Sequence, residues 1–193
     1  MKGAAASAVA LFIFCGDVMA ADIEAGRSKA QGCFECNGPE GNSANPVIPS
    51  LAGHPAQAIA TQLYQFREGN RKDVLMSPMA EKLSNADMND IAAYLSSVKP
   101  APPKHRTAPE NAALGPGLTK KYNCVQCHGP ALLGQQHIPR IAGQQPEYLR
   151  AQLKKFKAGV RADLDGNMTA AAEPLTDKDV EVLVDYVAGL SPQ

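Results

Sequence analysis

Residues 48–71 read IPSLAGHPAQAIATQLYQFREGNR, and residues 138–161 read IPRIAGQQPEYLRAQLKKFKAGVR. Laid over one another at a spacing of 90, the stretches share nine of 24 positions, among them Ile-Pro, Ala-Gly, Gln-Leu, Phe, Gly and Arg. The correspondence continues outside them in the same order. Cys33/Cys36 recurs as Cys124/Cys127 at a spacing of 91, and Met76 and Tyr94 recur as Met168 and Tyr186 at 92. Gly26 and Gly117 each stand seven residues before the first cysteine of their pair. These landmarks mark a domain of about 80 residues written twice. Two copies are too few for a solenoid, so each must hold a core of its own.

Within each copy the apolar spacing is helical. Ala56–Glu68 carries Ile59, Leu63 and Phe66 on one face, and Pro146–Ala158 carries Leu149, Leu153 and Phe156. Asn85, and Thr176 or Asp177, read as caps of terminal helices whose apolar faces hold Ile91, Tyr94 and Leu95, and Val180, Leu183, Val184 and Val187. Gly26 and Gly117 let a first helix approach the last one near Tyr94 or Tyr186. No stretch alternates as a strand does, so the fold class is all-α. Between the copies runs Lys99-Pro-Ala-Pro-Pro-Lys-His-Arg-Thr-Ala-Pro109, an extended, semi-rigid linker by composition. The expected organisation is a leader over 1–20, a first domain over 21–99, a linker over 100–109 and a second domain over 110–193.

The leader reads as a secretory signal: Lys2, then the uncharged stretch Gly3–Phe14, and at its end Val18-Met19-Ala20-Ala21, whose small alanines suit a signal peptidase. The apolar run falls short of the roughly 20 residues that span a bilayer. Cleavage after Ala20, or next after Ala21, removes Cys15 and leaves Cys33, Cys36, Cys124 and Cys127. The mature chain is then soluble in an exported compartment. With 19 basic and 19 acidic residues the net charge is zero, which argues against a nucleic-acid partner. Hydrophobic content of 45% argues against disorder. Aromatic content is only 5%, with no Trp, and small domains so poor in aromatic bulk often lean on a disulfide, metal or cofactor.

Cys124-Val125-Gln126-Cys127-His128 supplies one. Cys-x-x-Cys-His is the spacing of covalent c-type haem attachment: two thioethers grip the porphyrin and the imidazole stands under the iron. A thioredoxin-like pair needs a βαβ setting that is absent, and a zinc site needs four ligands where this motif offers three. A plain disulfide is the remaining alternative in an oxidising compartment. Met168, in the loop Gly166-Asn167-Met168-Thr169, is the expected second axial ligand, since no other methionine follows the motif. A thioether favours ferrous iron and closes the coordination shell, so such an iron carries electrons. Pro139 reads either as a turn residue or as the carbonyl that orients His128.

The first copy reads Cys33-Phe34-Glu35-Cys36-Asn37. An amide is a far weaker iron ligand than imidazole. The domain then holds no haem, with its cysteines as thiols or a disulfide, or it holds haem with altered ligation. A third alternative makes Asn37 a variant of an ordinary histidine. If haem does sit there, Met76 is the expected sulfur ligand by alignment of the copies, with Met79 its competitor.

The two Cys-x-x-Cys elements, Gly26 and Gly117, Asn42-Ser43, Pro49–Gly53 with Pro139–Gly143, Phe66–Arg71 and the two methionine segments together resemble the dihaem cytochrome c4 family. The resemblance spans nearly the whole mature chain and departs at Asn37, where the family has histidine. It implies two tandem class I cytochrome c domains facing each other about a pseudo-twofold axis. It further implies haem c on Cys124 and Cys127 with axial His128 and Met168. The corresponding positions of the first domain are Cys33, Cys36 and Met76, and a second haem there is in doubt because of Asn37. The implied role is a periplasmic one-electron shuttle in a respiratory chain. Its transient partners are a membrane donor complex and a terminal oxidase, with no small-molecule substrate and no enzymatic turnover. The alternative is the cytochrome subunit of a periplasmic oxidoreductase, such as a flavocytochrome that oxidises sulfide.

The other polar residues read blandly. His105 reads as a solvated linker residue, and His54 and His137 as loop residues with access to a haem propionate or to the missing ligand position. Lys154, Lys155 and Lys157 form a solvated helix face or a docking patch for an acidic partner.

Overall fold

The structure, a computed structural model, describes residues 20–193; the expected leader with Cys15 lies, but for Ala20, outside the described residues. Among the described residues ten α-helices follow one another. In the first half they are α1 (Ile23–Lys29), α2 (Gln31–Asn37), α3 (Ala56–Arg67), α4 (Met76–Glu81) and α5 (Asn85–Ser97). In the second they are α6 (Pro109–Lys121), α7 (Cys124–His128), α8 (Pro146–Lys157), α9 (Asn167–Ala172) and α10 (Asp177–Ala188). Among the described residues the only extended pairing is the isolated bridge Gln135–Ile138.

Each half closes over its own core, as the repeat requires. Ile59 and Leu63 of α3 pack with Met88, Ile91, Tyr94 and Leu95 of α5. Leu149 and Phe156 of α8 pack with Val180, Leu183, Val184 and Val187 of α10. Both terminal helices begin with a capping box, Ser84 with Asp87 and Thr176 with Asp179. The first cap is therefore Ser84, with Asn85 already the first helical residue. A loop residue of each half is tied to its terminal helix in the same way: the Gly53 amide donates to Leu95 O and the Gly143 amide to Val187 O, both at 2.9 Å.

The crossing of first and last helix corrects one expectation. In the first half Gly26 does make it, since a Cβ there would lie 2.0 Å from the Asp90 carbonyl oxygen and 3.0 Å from Tyr94 Cβ. In the second half the crossing residue is Gly115, whose Cβ would lie 2.1 Å from Tyr186 Cγ, while Gly117 has open space beside it. The second copy carries a longer first helix than the seven-residue α1, 13 residues in α6, and this moves the crossing glycine away from the cysteine motif.

The proline-rich segment carries no helix until Pro109 opens α6, where its missing N–H costs nothing. It is tied down rather than free. Ala101 N donates to Asn42 Oδ1 at 2.7 Å, and His105, expected to be solvated, pairs with Asp185 of α10 at 2.7 Å.

The halves meet along a polar seam. Its outer part is a ring of four residues, two from each copy. Arg71 donates to Gln62 of its own half and, at 3.3 Å, to Gln152 of the other. Arg161 donates to Gln152 of its own half at 2.6 Å and to Gln62 of the other at 3.0 Å. Each guanidinium lies 4.4 Å over the ring of its own half's phenylalanine, Phe66 or Phe156. This exchange matches the pseudo-twofold relation that the family resemblance implies.

Candidate functional site

α7 is the Cys-x-x-Cys-His motif itself. Asn123, in left-handed conformation at φ 57°, turns the chain into it, and Gly129 at φ 82° turns the chain out. The turn leaves Cys127 exposed and Cys124 half-buried against the C-terminal core. Neither is in a disulfide, and burial pushes the Cys124 thiol up.

His128 is 4% exposed, and its Nδ1 lies 2.7 Å from the Pro139 carbonyl oxygen. A carbonyl only accepts, so Nδ1 carries the proton and Nε2 carries the lone pair. Burial holds the ring below the usual imidazole range, only partly offset by that bond. The ring is therefore a neutral, oriented nitrogen donor. Of the two readings of Pro139, the orienting carbonyl is the one present.

Met168 lies within α9, one residue past its start, rather than in a loop. Its amide donates to Asp163 Oδ2 at 2.7 Å, and its side chain packs against the same core as Cys124. The first half repeats the arrangement: the Met76 amide donates to Asp73 Oδ1 at 3.1 Å, and Met76 packs against the N-terminal core. Met79 is 52% exposed, which favours Met76 as the sulfur of that half.

In the N-terminal half α2 places Cys33 half-buried and Cys36 exposed, as in the mate, and burial pushes the Cys33 thiol up. Asn37 is 6% exposed and its Nδ2 donates to the Pro49 carbonyl oxygen at 2.9 Å. The amide thus reproduces the half of an imidazole that faces the backbone and has nothing in place of the outer half, where the ligating nitrogen would be. Its remaining polar atom is a weakly basic carbonyl oxygen. The C-terminal donor set fits a covalent haem with nitrogen and sulfur axial ligands, and the N-terminal set lacks the nitrogen. Among the described residues no cluster of three or more His, Cys, Asp or Glu is disposed to hold a metal ion by itself.

The cytochrome c family model matches residues 112–191, the half that carries the complete motif. Cytochrome c4 of Thiocapsa roseopersicina is 36% identical over 182 residues, covering 88% of this chain and 93% of the relative. The chain belongs to the cytochrome c4 family. The crystal structure of reduced recombinant cytochrome c4 from Pseudomonas stutzeri superimposes on this cytochrome with a TM-score of 0.81 at 34% identity, covering 89% of this chain and all of that one. A thiosulfate dehydrogenase electron acceptor of Thiomonas intermedia (strain K12) is 35% identical over 179 residues, covering 85% of this chain and 82% of its own. As a member of that family the chain is an electron carrier with covalent haem c rather than an enzyme, built of two tandem class I cytochrome c domains. No helix among the described residues is long and apolar enough to cross a membrane.

Residue-type reasoning missed the inner part of the seam, beside His128. Arg140 is 2% exposed and donates to Ala142 O and, at 2.9 Å, to Ala52 O of the other half. Burial alone lowers its pKa to about 10. Gln144 Oε1 accepts from the Ser50 amide at 2.8 Å, and its Nε2 donates to Ser50 O at 2.9 Å. His54, the mate of Gln144 in the repeat, is buried there and donates from Nε2 to the same Ser50 carbonyl at 3.0 Å. Burial first, then the charge of Arg140, pushes His54 down to about 3. It lies in the seam beside Arg140 and Gln144 rather than at the ligand position of Asn37. The one available signal was Arg140 itself, a cation beside the proline of a cytochrome loop where its mate is Ser50.

Proposed function

We propose that this cytochrome carries one haem, in the C-terminal domain. Its thioethers are formed by Cys124 and Cys127, and its axial ligands are His128 and Met168. The observation that carries the reading is the buried His128 ring, held by Pro139 with its Nε2 lone pair free. A bound haem supplies the one-electron ferric/ferrous couple. His128 and Met168 would hold that iron, His128 through its Nε2 lone pair and Met168 through its thioether sulfur, and would leave it no position for an added ligand. The core behind Cys124 and Met168 excludes water and so limits reorganisation on electron transfer. In the N-terminal domain Cys33, Cys36 and Met76 stand in the matching places without the imidazole, so a His/Met haem does not form there. The domains run over 21–99 and 110–193, joined by the linker 100–109.

The leader supports export to the periplasm, where electrons pass from a membrane donor complex to a terminal oxidase. A second reading, acceptor partner of a periplasmic oxidoreductase, is favoured by the likeness to the thiosulfate dehydrogenase electron acceptor. Haem per chain, from alkaline pyridine absorbance with intact mass, tests the first part. One equivalent on a peptide containing Cys124 and Cys127 is expected, and two equivalents overturn the count. Isolation alone, without a co-purifying enzyme at constant stoichiometry, distinguishes shuttle from subunit.

A further inference from the structure

The inner seam brackets one bond. The Pro139 carbonyl that orients His128 is followed at once by Arg140 and, four residues later, by Gln144. Both are fixed by backbone groups of the other domain: Arg140 by Ala52 O, Gln144 by the amide and carbonyl of Ser50. Gln144 Oε1 also accepts from the Gln145 amide at 2.9 Å, and Gln145 Nε2 donates to Ser43 O at 2.6 Å. Arg140, Gln144, Ser50 and His128 are all buried. None of the N-terminal groups in this contact is an iron ligand or a cysteine, so nothing in the clamp depends on an imidazole at position 37.

We infer that the N-terminal domain serves as a positioning element of the C-terminal iron site, its Ser50 and Ala52 backbone clamping Gln144 and Arg140 on the loop that carries the Pro139–His128 hydrogen bond. The inference rests on His128 being the haem ligand. It also gives the N-terminal domain a use that survives Asn37. A hydrogen bond to the far nitrogen of a ligating imidazole raises the basicity of the near one, and outer-layer partners of this kind set ligand strength. Freeing the loop weakens the Pro139–His128 bond, makes the imidazole a poorer donor and stabilises ferrous over ferric iron. Gln144 and Arg140 are thus positioning residues that act through Pro139.

The test is made on the full-length haem-loaded protein. Gln144→Ala removes both bonds to Ser50, whereas Gln144→Glu keeps the acceptor for the Ser50 amide. For Gln144→Ala the expected result is a several-fold higher reduced-to-oxidised ratio at fixed ambient potential, with shifted His128 ring-proton resonances. Gln144→Glu is expected to lie between it and the wild type. Gln62→Ala opens the outer ring of the seam, away from Pro139, and is expected to lower the melting temperature while leaving potential and ring resonances in place. The inference is overturned if Gln144→Ala and Gln144→Glu lower only the melting temperature, or if Gln62→Ala moves the potential equally. A protein lacking a Soret band or a sulfur-ligated ferric spectrum sinks the haem assignment instead. Should Gln144→Ala not accumulate, Gln144→Glu against Gln62→Ala decides.

Discussion

Asn37 and His128 make the same hydrogen bond in the two halves of the chain. Each donates to the carbonyl of the proline that opens the next loop, Asn37 to Pro49 at 2.9 Å and His128 to Pro139 at 2.7 Å. The amide keeps the bond that shapes the loop and lacks the bond that would hold iron. Fold and ligation are therefore separable at this position, and substitutions can pull them apart.

Asn37→His is expected to raise haem per chain from one to two by alkaline pyridine absorbance, with Cys33, Cys36 and Met76 already placed. Asn37→Ala leaves the Pro49 carbonyl without its partner. It should cost about 1–3 kcal/mol of stability, read by denaturant melts, without changing the haem count.

With Met168 as the sulfur ligand, as proposed above, position 168 sets the potential of the carrier. Met168→His replaces a soft neutral sulfur with a second imidazole and should lower the midpoint potential. Met168→Ala should open the sixth position, so that added imidazole binds the ferric protein and shifts its Soret band. An unchanged midpoint in the first variant would move the ligand away from Met168.

The two glycines of α6 give opposite forecasts. Gly115→Ala drives a methyl into Tyr186 and should destabilise by about 1–3 kcal/mol, the usual range for overpacking. Gly117→Ala meets nothing within 4 Å and should be neutral or add about 0.5–1 kcal/mol through helix propensity. Thermal melts of both variants check the pair.

His54 makes the protein acid-sensitive. Its folded pKa is near 3 against an ordinary 6.5, so between those values the unfolded chain holds a proton that the folded one does not. Stability then falls as pH drops below about 6.5 and levels off near 3. His54→Gln adopts the side chain of its mate Gln144, can still donate to Ser50 O and removes the titration. Its melting temperature should decline less than that of the wild type between pH 6.5 and 4, and a parallel decline would place the acid sensitivity elsewhere.

The repeat, the helical class and the complete motif were legible because each is local: a spacing, a period, a residue type at a fixed offset. The Pro139 bond was only one of two readings until the structure placed the carbonyl on His128. The crossing at Gly115 was hidden because a longer first helix shifts one landmark against another, and only packing against Tyr186 reveals which glycine is crowded. His105 looked free because its partner Asp185 lies 80 residues away. The clamp of Arg140 and Gln144 was invisible for the same reason, since its partners are backbone groups some 90 residues distant and carry no side-chain signature.

The ring of Arg71, Gln62, Arg161 and Gln152 is isologous: each half offers the other the same arginine and the same glutamine. Such a surface is self-complementary, the kind that builds closed twofold dimers from separate polypeptides. Here the tether between the halves supplies the local concentration that a free dimer would draw from the bulk, so the pairing persists at any dilution. One partner of this built-in dimer is then free to diverge in its chemistry, as Asn37 has, while continuing to recognise the other.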